Sequence, residues 1–200
     1  LLGELASQTS PLGAVTSNGY DPDGNLTTVT DANGHTTTFT YNASNQVTKK
    51  TDPLGKATVY AYDPDENLSS VTDANGNTDT FAYDDLNRLT TAKYGVSGTT
   101  AQTTMAYTYD AGNRLTKAVQ TPGGTYQFTY NGLNDALSAS SPQGKLSYTY
   151  NADGLRTAMT VPGQAKVTYT YDKDDRPAKI TQGSASVAFT YDADSRPASL

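Results

Sequence analysis

Pairs of aromatic residues, separated by one small residue, recur along the chain, and each pair ends in a Tyr that precedes Asp or Asn. FTY at 39–41, YAY at 60–62 and FAY at 81–83 are examples. A spacing of two places both rings on the same face of a β-strand. Between the pairs lie runs of about six residues rich in Thr, Val and Leu, bounded by segments rich in Asp, Pro, Asn and Gly. The pattern therefore predicts short strands joined by tight turns, with no room for a helix.

The tyrosine that closes each pair marks a repeat of about 21 residues, and we call these residues the repeat tyrosines. They are Tyr20, Tyr41, Tyr62, Tyr83, Tyr109, Tyr130, Tyr150, Tyr171 and Tyr191. The steps between them are 21, 21, 21, 26, 21, 20, 21 and 20 residues. The long step contains residues 95–102, which we interpret as a loop insertion. The sequence thus predicts an all-β fold, a repetitive strip of antiparallel hairpins formed by one array of about nine repeats over residues 1–200.

Seventeen of the 19 aromatic residues follow this pattern, and we call them the aromatic ladder. The ladder consists of Tyr20, Phe39, Tyr41, Tyr60, Tyr62, Phe81, Tyr83, Tyr107, Tyr109, Phe128, Tyr130, Tyr148, Tyr150, Tyr169, Tyr171, Phe189 and Tyr191. Tyr94 and Tyr126 fall outside it. Leu, Ile, Val and Phe together supply only 30 of 200 residues, so we expect the rings to form the buried spine of the fold.

Two kinds of turn alternate in each repeat. The first turn follows the repeat tyrosine, as in DPDG at 21–24, and the second precedes the next aromatic pair, as in DANG at 31–34. Asp at the first position can bond the turn backbone, and Gly or Asn at the fourth tolerates a left-handed conformation. The predicted turn residues are Asp21, Gly24, Asp31, Gly34, Asp52, Gly55, Asp63, Asp73, Gly76 and Asp110.

The sixth residue after the repeat tyrosine is apolar in the first five repeats: Leu26, Val47, Leu68, Leu89 and Leu115. We expect these residues to pack against the aromatic pair across the hairpin. The later copies depart from the rule with Ala136, Arg156, Pro177 and Pro197. Leu137 and Leu155 stand one place away, which predicts a local change of register.

The heptapeptides YDPDGNL, YDDLNRL and YDAGNRL closely resemble the Tyr-Asp-x-x-Gly-Arg-Leu core of YD repeats, also called RHS repeats. That family includes Rhs polymorphic toxins, the C component of insecticidal toxin complexes, wall-associated proteins and animal teneurins. The resemblance implies a β-hairpin strip that spirals into a hollow shell, which in the toxin members encloses a C-terminal toxin segment. The chain does not show the family's toxin-releasing core motif. It is expected to be a fragment of a larger bacterial protein, secreted or at the cell surface.

The chemistry that the sequence offers is limited. There is no Cys, one His (His35) and a net charge of −6, which together disfavour thiolate sites, sites needing two imidazoles and nucleic-acid partners. Carboxylate pairs such as Asp84/Asp85 recur at turn positions, where turn capping explains them, and the spacing of a calcium-binding EF-hand is missing. We expect His35 to be exposed at a strand start. No catalytic, cofactor-binding or metal-ligating residue is predicted, and no apolar run suggests membrane insertion.

Two functions remain open. The first is a non-catalytic scaffold, a segment of a β-shell that encloses or presents the rest of its parent polypeptide, such as a toxin domain. The alternative is an adhesive module that binds glycans or a cell-surface protein through one sheet face, for which changes of the off-ladder Tyr94 and Tyr126 to Ala would be the test.

Overall fold

The computed structural model describes residues 4–199, which form twenty β-strands and no helix. Accordingly, this part of the chain contains no helix that is long and apolar enough to span a membrane. The chain divides into two compact units, Leu1–Thr104 and Met105–Leu200. The predicted all-β, antiparallel hairpin fold is confirmed in both.

In the first unit each strand pairs in antiparallel fashion with the next one in the chain. The strands are β1 (Ser7–Thr9), β2 (Val15–Tyr20), β3 (Leu26–Thr30), β4 (Thr36–Tyr41), β5 (Val47–Thr51), β6 (Ala57–Tyr62), β7 (Leu68–Thr72), β8 (Thr78–Tyr83) and β9 (Leu89–Val96). Beyond β9, Ser97 and Thr100 form an isolated antiparallel bridge. Residues 95–102 therefore extend β9 by two residues and then close a short turn; their origin as an insertion stays a prediction.

The second unit repeats the same arrangement from β11 to β18, again with antiparallel pairing of chain neighbours. Its strands are β10 (Thr103–Tyr109, of which the first two residues precede the unit), β11 (Leu115–Thr121), β12 (Thr125–Tyr130), β13 (Ala136–Ser141), β14 (Gly144–Tyr150), β15 (Arg156–Thr160), β16 (Val167–Tyr171), β17 (Pro177–Gln182), β18 (Ala185–Ala188), β19 (Thr190–Tyr191) and β20 (Pro197–Ser199). The last two form a separate two-stranded sheet.

A β-bulge follows every first turn for which the register is resolved. In the β6–β7 hairpin Tyr62 lies opposite Leu68, whereas Ala61 lies opposite Ser70, so one extra residue is accommodated in β7. The bulge brings two positions of β7 onto the ring face, the sixth and the ninth after the repeat tyrosine. Leu68 then faces Tyr62, and Val71 faces Tyr60. The sequence pattern indicated the first of these positions but not the second.

The register change predicted for the later repeats does not occur. Tyr130 lies opposite Ala136, Tyr150 opposite Arg156, and Tyr171 opposite Pro177, the same offset of six as in the first unit. The nearby Leu137 and Leu155 therefore do not replace the sixth residue. The turn sets the register, because its loop length is constant, and a substitution at the sixth position does not alter it.

The rings expected to form the buried spine lie along the strands but are only partly enclosed. All seventeen ladder side chains are half-buried; sixteen lie in strands, and Phe189 lies between β18 and β19. The fully buried residues of the described part are instead small or β-branched: Ala92, Ala118, Ala158, Val167 and Ser138. Most strand contacts join chain neighbours within a sheet. A strand that contacts only the strands beside it keeps its backbone and small side chains out of water. Its large rings stand out from the sheet and remain exposed on one side.

Candidate functional site

The first turn is a three-residue loop held by its leading carboxylate. In the β8–β9 hairpin, the backbone N–H of Asp84 donates to the Arg88 carbonyl over 3.0 Å, and the N–H of Asn87 donates to the Asp84 carbonyl over 2.9 Å. Asp84 Oδ1 accepts the N–H groups of Leu86 and Arg88, both over 3.0 Å. Its Oδ2 accepts Arg88 Nε over 2.8 Å. Both carboxylate oxygens are therefore engaged within the turn.

The fourth residue of the first turn adopts the left-handed conformation in every repeat. It is Gly in two repeats, Gly24 with φ 85° and Gly154 with φ 78°. The other seven are the only non-glycine residues of positive φ in the described part of the chain: Asn45, Glu66, Asn87, Asn113, Asn134, Asp175 and Ser195. Asn and Asp tolerate this region better than most residues, which explains why Asn dominates the position.

Second turns of the first unit have the same loop geometry. Asp31, Asp52 and Asp73 each accept two turn N–H groups through Oδ1. The fourth residue is always Gly, with φ of 80–85° at Gly34, Gly55 and Gly76. The ten turn residues that the sequence singled out lie at the first or fourth positions of these two kinds of turn.

Second turns of the second unit differ from one another. One contains the cis peptide bond Thr121–Pro122. Another is a two-residue loop that joins the facing pair Ser141 and Gly144, and the last joins Gln182 and Ala185 in the same way. These turns close their hairpins without a leading Asp.

The fifth residue of a first turn links that turn to the one in the next repeat. Asn25 Nδ2 donates to Asn45 Oδ1 over 2.8 Å, and Asn67 Nδ2 donates to Asn87 Oδ1 over 2.8 Å. Arg114 reaches further, because one of its terminal nitrogens (Nη1) donates to both the Asn131 carbonyl and Asn134 Oδ1. Amide and guanidinium side chains thus perform the same task. They join all three pairs of neighbouring first turns in the first unit and two of the pairs in the second unit.

A second link between repeats comes from the hydroxyl groups of the repeat tyrosines. Tyr62 donates to the Val47 carbonyl over 2.9 Å and Tyr83 to the Leu68 carbonyl over 3.0 Å. The acceptor lies 14 or 15 residues earlier, near the start of the preceding hairpin's second strand. The same bond is made by Tyr20, Tyr41, Tyr130, Tyr150, Tyr171 and Tyr191. The requirement for a hydroxyl explains why this position is always Tyr, whereas the earlier aromatic of each pair is Phe or Tyr.

Arginines cover part of the ring face. The guanidinium carbon of Arg114 lies 4.9 Å from the centre of the Tyr130 ring, and that of Arg176 lies 4.6 Å from the Tyr191 ring. Arg156 occupies the sixth position of its repeat and lies over Tyr148 at 4.8 Å. These are cation–π distances, so an arginine at either position can shield a ring that aliphatic residues shield elsewhere.

Several turn carboxylates have lowered pKa values. Hydrogen bonds from the side chains of Arg88 and Arg176 hold the pKa of Asp84 and Asp172 below the ordinary 3.8. The Asn77 side chain does the same for the pKa of Asp73. Hydrogen bonds within their own turns lower the pKa values of Asp21, Asp31, Asp110 and Asp192 in the same direction. A general acid of a glycosidase needs the opposite shift.

His35 lies before β4, with its side chain 64% exposed and its Nδ1 3.1 Å from Asp31 Oδ2. It therefore belongs to a turn at the surface. Within residues 4–199 no three His, Asp or Glu side chains come together in a way that could hold a metal ion. The off-ladder Tyr94 packs edge-on against Phe81, with ring centres 6.3 Å apart, and Tyr126 lies half-buried in β12.

The sequence did not reveal the two links between repeats. One signal was available: the fifth position of the first turn holds a side chain with a donor group in seven of nine repeats, as Asn, Gln or Arg. The tyrosine bond had a signal too. The aromatic residue directly before the Asp or Asn of the first turn is Tyr in all nine repeats and never Phe.

Three overlapping segments of the chain, residues 20–57, 41–78 and 62–100, match the family model for the RHS repeat. No curated protein sequence matches the chain. Among solved structures, a mutant Tc holotoxin pore of Photorhabdus luminescens aligns with 94% of this chain at 14% identity and a TM-score of 0.62. The crystal structure of TcdB2-TccC3 aligns with 92% at 14% identity, also with a TM-score of 0.62.

This chain spans about 13% of the length of either structure. At such low identity the likeness concerns the fold alone. The first-turn geometry and its links continue beyond residue 100, in the part that the family model does not match. Residues 20–100 therefore match RHS repeats, and the rest of the described chain continues the same hairpin period with the same first-turn geometry.

Proposed function

We propose that the chain is a non-catalytic scaffold, a segment of a larger shell that encloses or presents another part of a secreted, toxin-like polypeptide. The observation that supports this most directly is the use of its polar groups. First-turn carboxylates bond their own turn, and fifth-position side chains and tyrosine hydroxyls bond the neighbouring repeat. Groups committed in this way stabilise a continuous sheet rather than converge on a substrate.

The lowered Asp pKa values support the same proposal. Hydrolysis of a glycoside by two carboxyl groups requires one of them to remain protonated near neutral pH. Asp84, Asp110 and Asp172 are shifted the other way by their own turns. A scaffold needs them ionised, because only the carboxylate accepts all of the turn's hydrogen bonds.

The match to the RHS-repeat model supplies the wider context. The RHS-repeat resemblance implies a shell, and the related folds come from a Tc holotoxin pore and from TcdB2-TccC3. The partner we propose is accordingly the rest of the parent polypeptide, outside the cell or on its surface. Each repeat would add one hairpin to the wall of the shell.

The experiment is deletion of residues 42–83 from the parent polypeptide, which joins Tyr41 to Asp84 and so removes two whole repeats. We expect the shortened protein to keep an all-β circular dichroism spectrum, while the enclosed segment becomes sensitive to protease. The control is Lys49→Ala in the undeleted polypeptide, because it changes one exposed side chain and keeps every repeat. Unchanged protease resistance of the remaining polypeptide after the deletion would contradict the proposal.

A further inference from the structure

Lys50 breaks the otherwise apolar ninth position after the repeat tyrosine. The other described residues at this position are Val29, Val71, Ala92, Ala118, Ala139, Met159 and Ile180. Lys50 lies directly opposite Phe39 on one side and Thr58 on the other, and hence on the ring face. The fold does not need a charge at the ninth position, since the other seven described repeats have an apolar residue there.

Lys56 breaks a second pattern close by. The residues at the same place in the neighbouring second turns are His35 and Asn77, whose side chains bond Oδ2 of their turn Asp over 3.1 and 2.8 Å. Lys56 keeps only the backbone bond that all three residues make, in which its N–H donates to Asp52 Oδ1 over 2.8 Å; in the described part of the chain its side chain makes no observed bond to Asp52. The ion pairs found in residues 4–199 include neither Lys50 nor Lys56.

Both lysines line one cavity of about 250 Å³ on the first unit. Its other lining residues are Asp52, Thr58, Tyr60 and Ala74. Asp52 brings one negative charge, but its Oδ1 is occupied by the N–H groups of Leu54 and Lys56. The lining therefore has a net charge of +1, on a chain whose net charge is −6.

We propose that this cavity binds a uronic acid residue of an acidic polysaccharide. Lys50 and Lys56 would hold its carboxylate, the Tyr60 ring would pack against the apolar face of the sugar, and the Thr58 hydroxyl would bond a sugar hydroxyl. The volume suits a single sugar ring, and an aromatic ring beside two cations matches a ligand that is both cyclic and anionic. An extended acidic peptide has no ring to place on Tyr60.

The test is an NMR titration of the 200-residue chain with glucuronate, with glucose as the neutral sugar of the same shape. We expect glucuronate to shift the signals of the cavity and glucose to bind at least ten-fold more weakly. Binding should weaken further as salt is raised, because the lysines are exposed. Equal binding of both sugars, or stronger binding of tetraglutamate than of glucuronate, would overturn the proposal.

Two variants restore residues that the repeat itself uses, so they should fold normally. Lys50→Val copies Val29 and Val71, and Lys56→Asn copies Asn77. Each is expected to weaken glucuronate binding about five-fold, the size of one exposed ion pair. The matched control is Lys49→Ala, which removes the same charge from the opposite face of β5 and should leave binding unchanged. If Lys49→Ala and Lys50→Val weakened glucuronate binding equally, the binding would be general electrostatic attraction and the proposed site would be wrong.

Discussion

The two units treat their second turns differently but their first turns alike. In the first unit, second turns are three-residue loops with a leading polar residue and Gly in the left-handed region at Gly13, Gly34, Gly55 and Gly76. In the second unit they become a cis-proline turn, two-residue loops and a turn in which the Gln164 N–H donates to the Val161 carbonyl. First turns keep a left-handed fourth residue in all nine repeats.

The contrast shows which turn carries the contacts between repeats. A second turn only joins two strands, and several loop types can do so. A first turn also bonds the next first turn. The residue that follows it offers the carbonyl that accepts the hydroxyl of the next repeat tyrosine. Loss of its geometry would break contacts with neighbours, and the sequence is correspondingly uniform there.

The largest expected effect concerns the tyrosine link. Tyr83→Ala removes a half-buried ring and its bond to the Leu68 carbonyl, and should lower the free energy of unfolding by about 2–3 kcal/mol. Tyr83→Phe removes only the hydrogen bond and should cost about 1 kcal/mol. Urea unfolding followed by circular dichroism measures both.

Tyr60→Phe is the control for this pair, since Phe39 and Phe81 occupy its place in other repeats. It should change the free energy of unfolding by less than about 0.5 kcal/mol. A cost equal to that of Tyr83→Phe would show that the hydroxyl bonds of the repeat tyrosines contribute nothing specific.

Lengthening the two turns on either side of β13 compares them directly. Two glycines inserted after Leu133 disrupt a first turn in which Asn131 Oδ1 accepts two N–H groups and Arg114 reaches across from the preceding turn. We expect a loss of about 2 kcal/mol in the free energy of unfolding. The same insertion after Pro142 only lengthens a second turn and should cost less than about 1 kcal/mol. Equal costs at both sites would contradict the contrast between the turns.

The left-handed position offers a smaller test. Asn87→Val places a β-branched residue at φ 58° and also removes the acceptor of Asn67; it should cost about 1–2 kcal/mol. Gly76→Asn puts a tolerant residue at φ 85°, where an added Cβ meets nothing within 4 Å. Its cost in thermal or urea unfolding should stay below about 1 kcal/mol. A reversed order would mean that the conformation of the fourth residue does not limit first turns.

The smallest effect is the pH dependence. The pKa of Asp84, lowered first by the Arg88 side chain, lies below the ordinary 3.8 in the folded state. The carboxylate therefore favours folding above pH 3.8, and this contribution is lost as the pH falls through the folded pKa. The thermal midpoint should drop between about pH 5 and about pH 2.5. Arg88→Gln should reduce that drop, and an unchanged drop would show that the ion pair is without influence.

Much of the fold followed from residue spacing alone. The aromatic spacing of two predicted the strands, and Asp with Gly or Asn three residues later predicted the turns, because both signals are local. The ninth position after the repeat tyrosine was missed, since it reaches the ring face only through the β-bulge of each hairpin. The expected register change was wrong because the length of the first turn determines the register, and a nearby leucine does not shift it.

The links between repeats lay beyond sequence reasoning for a different reason. Arg114 and Asn134 are twenty residues apart, and their contact exists only once two hairpins lie side by side. The degree of ring burial also depends on contacts across hairpins: poverty in aliphatic residues predicted a buried spine of rings, and the rings are half-buried. In these sheets a ring can be shielded on one side by an arginine, as Tyr130 is by Arg114.

The bond from one first turn to the next also bears on how such arrays change in evolution. Its donor and acceptor are about one period apart in the chain, so an in-frame duplication of a whole repeat supplies both at once. A newly copied hairpin is bonded to its neighbours on either side from the outset, whereas a partial copy is not. Arrays of this kind can therefore gain or lose material in whole repeats while each junction stays chemically the same.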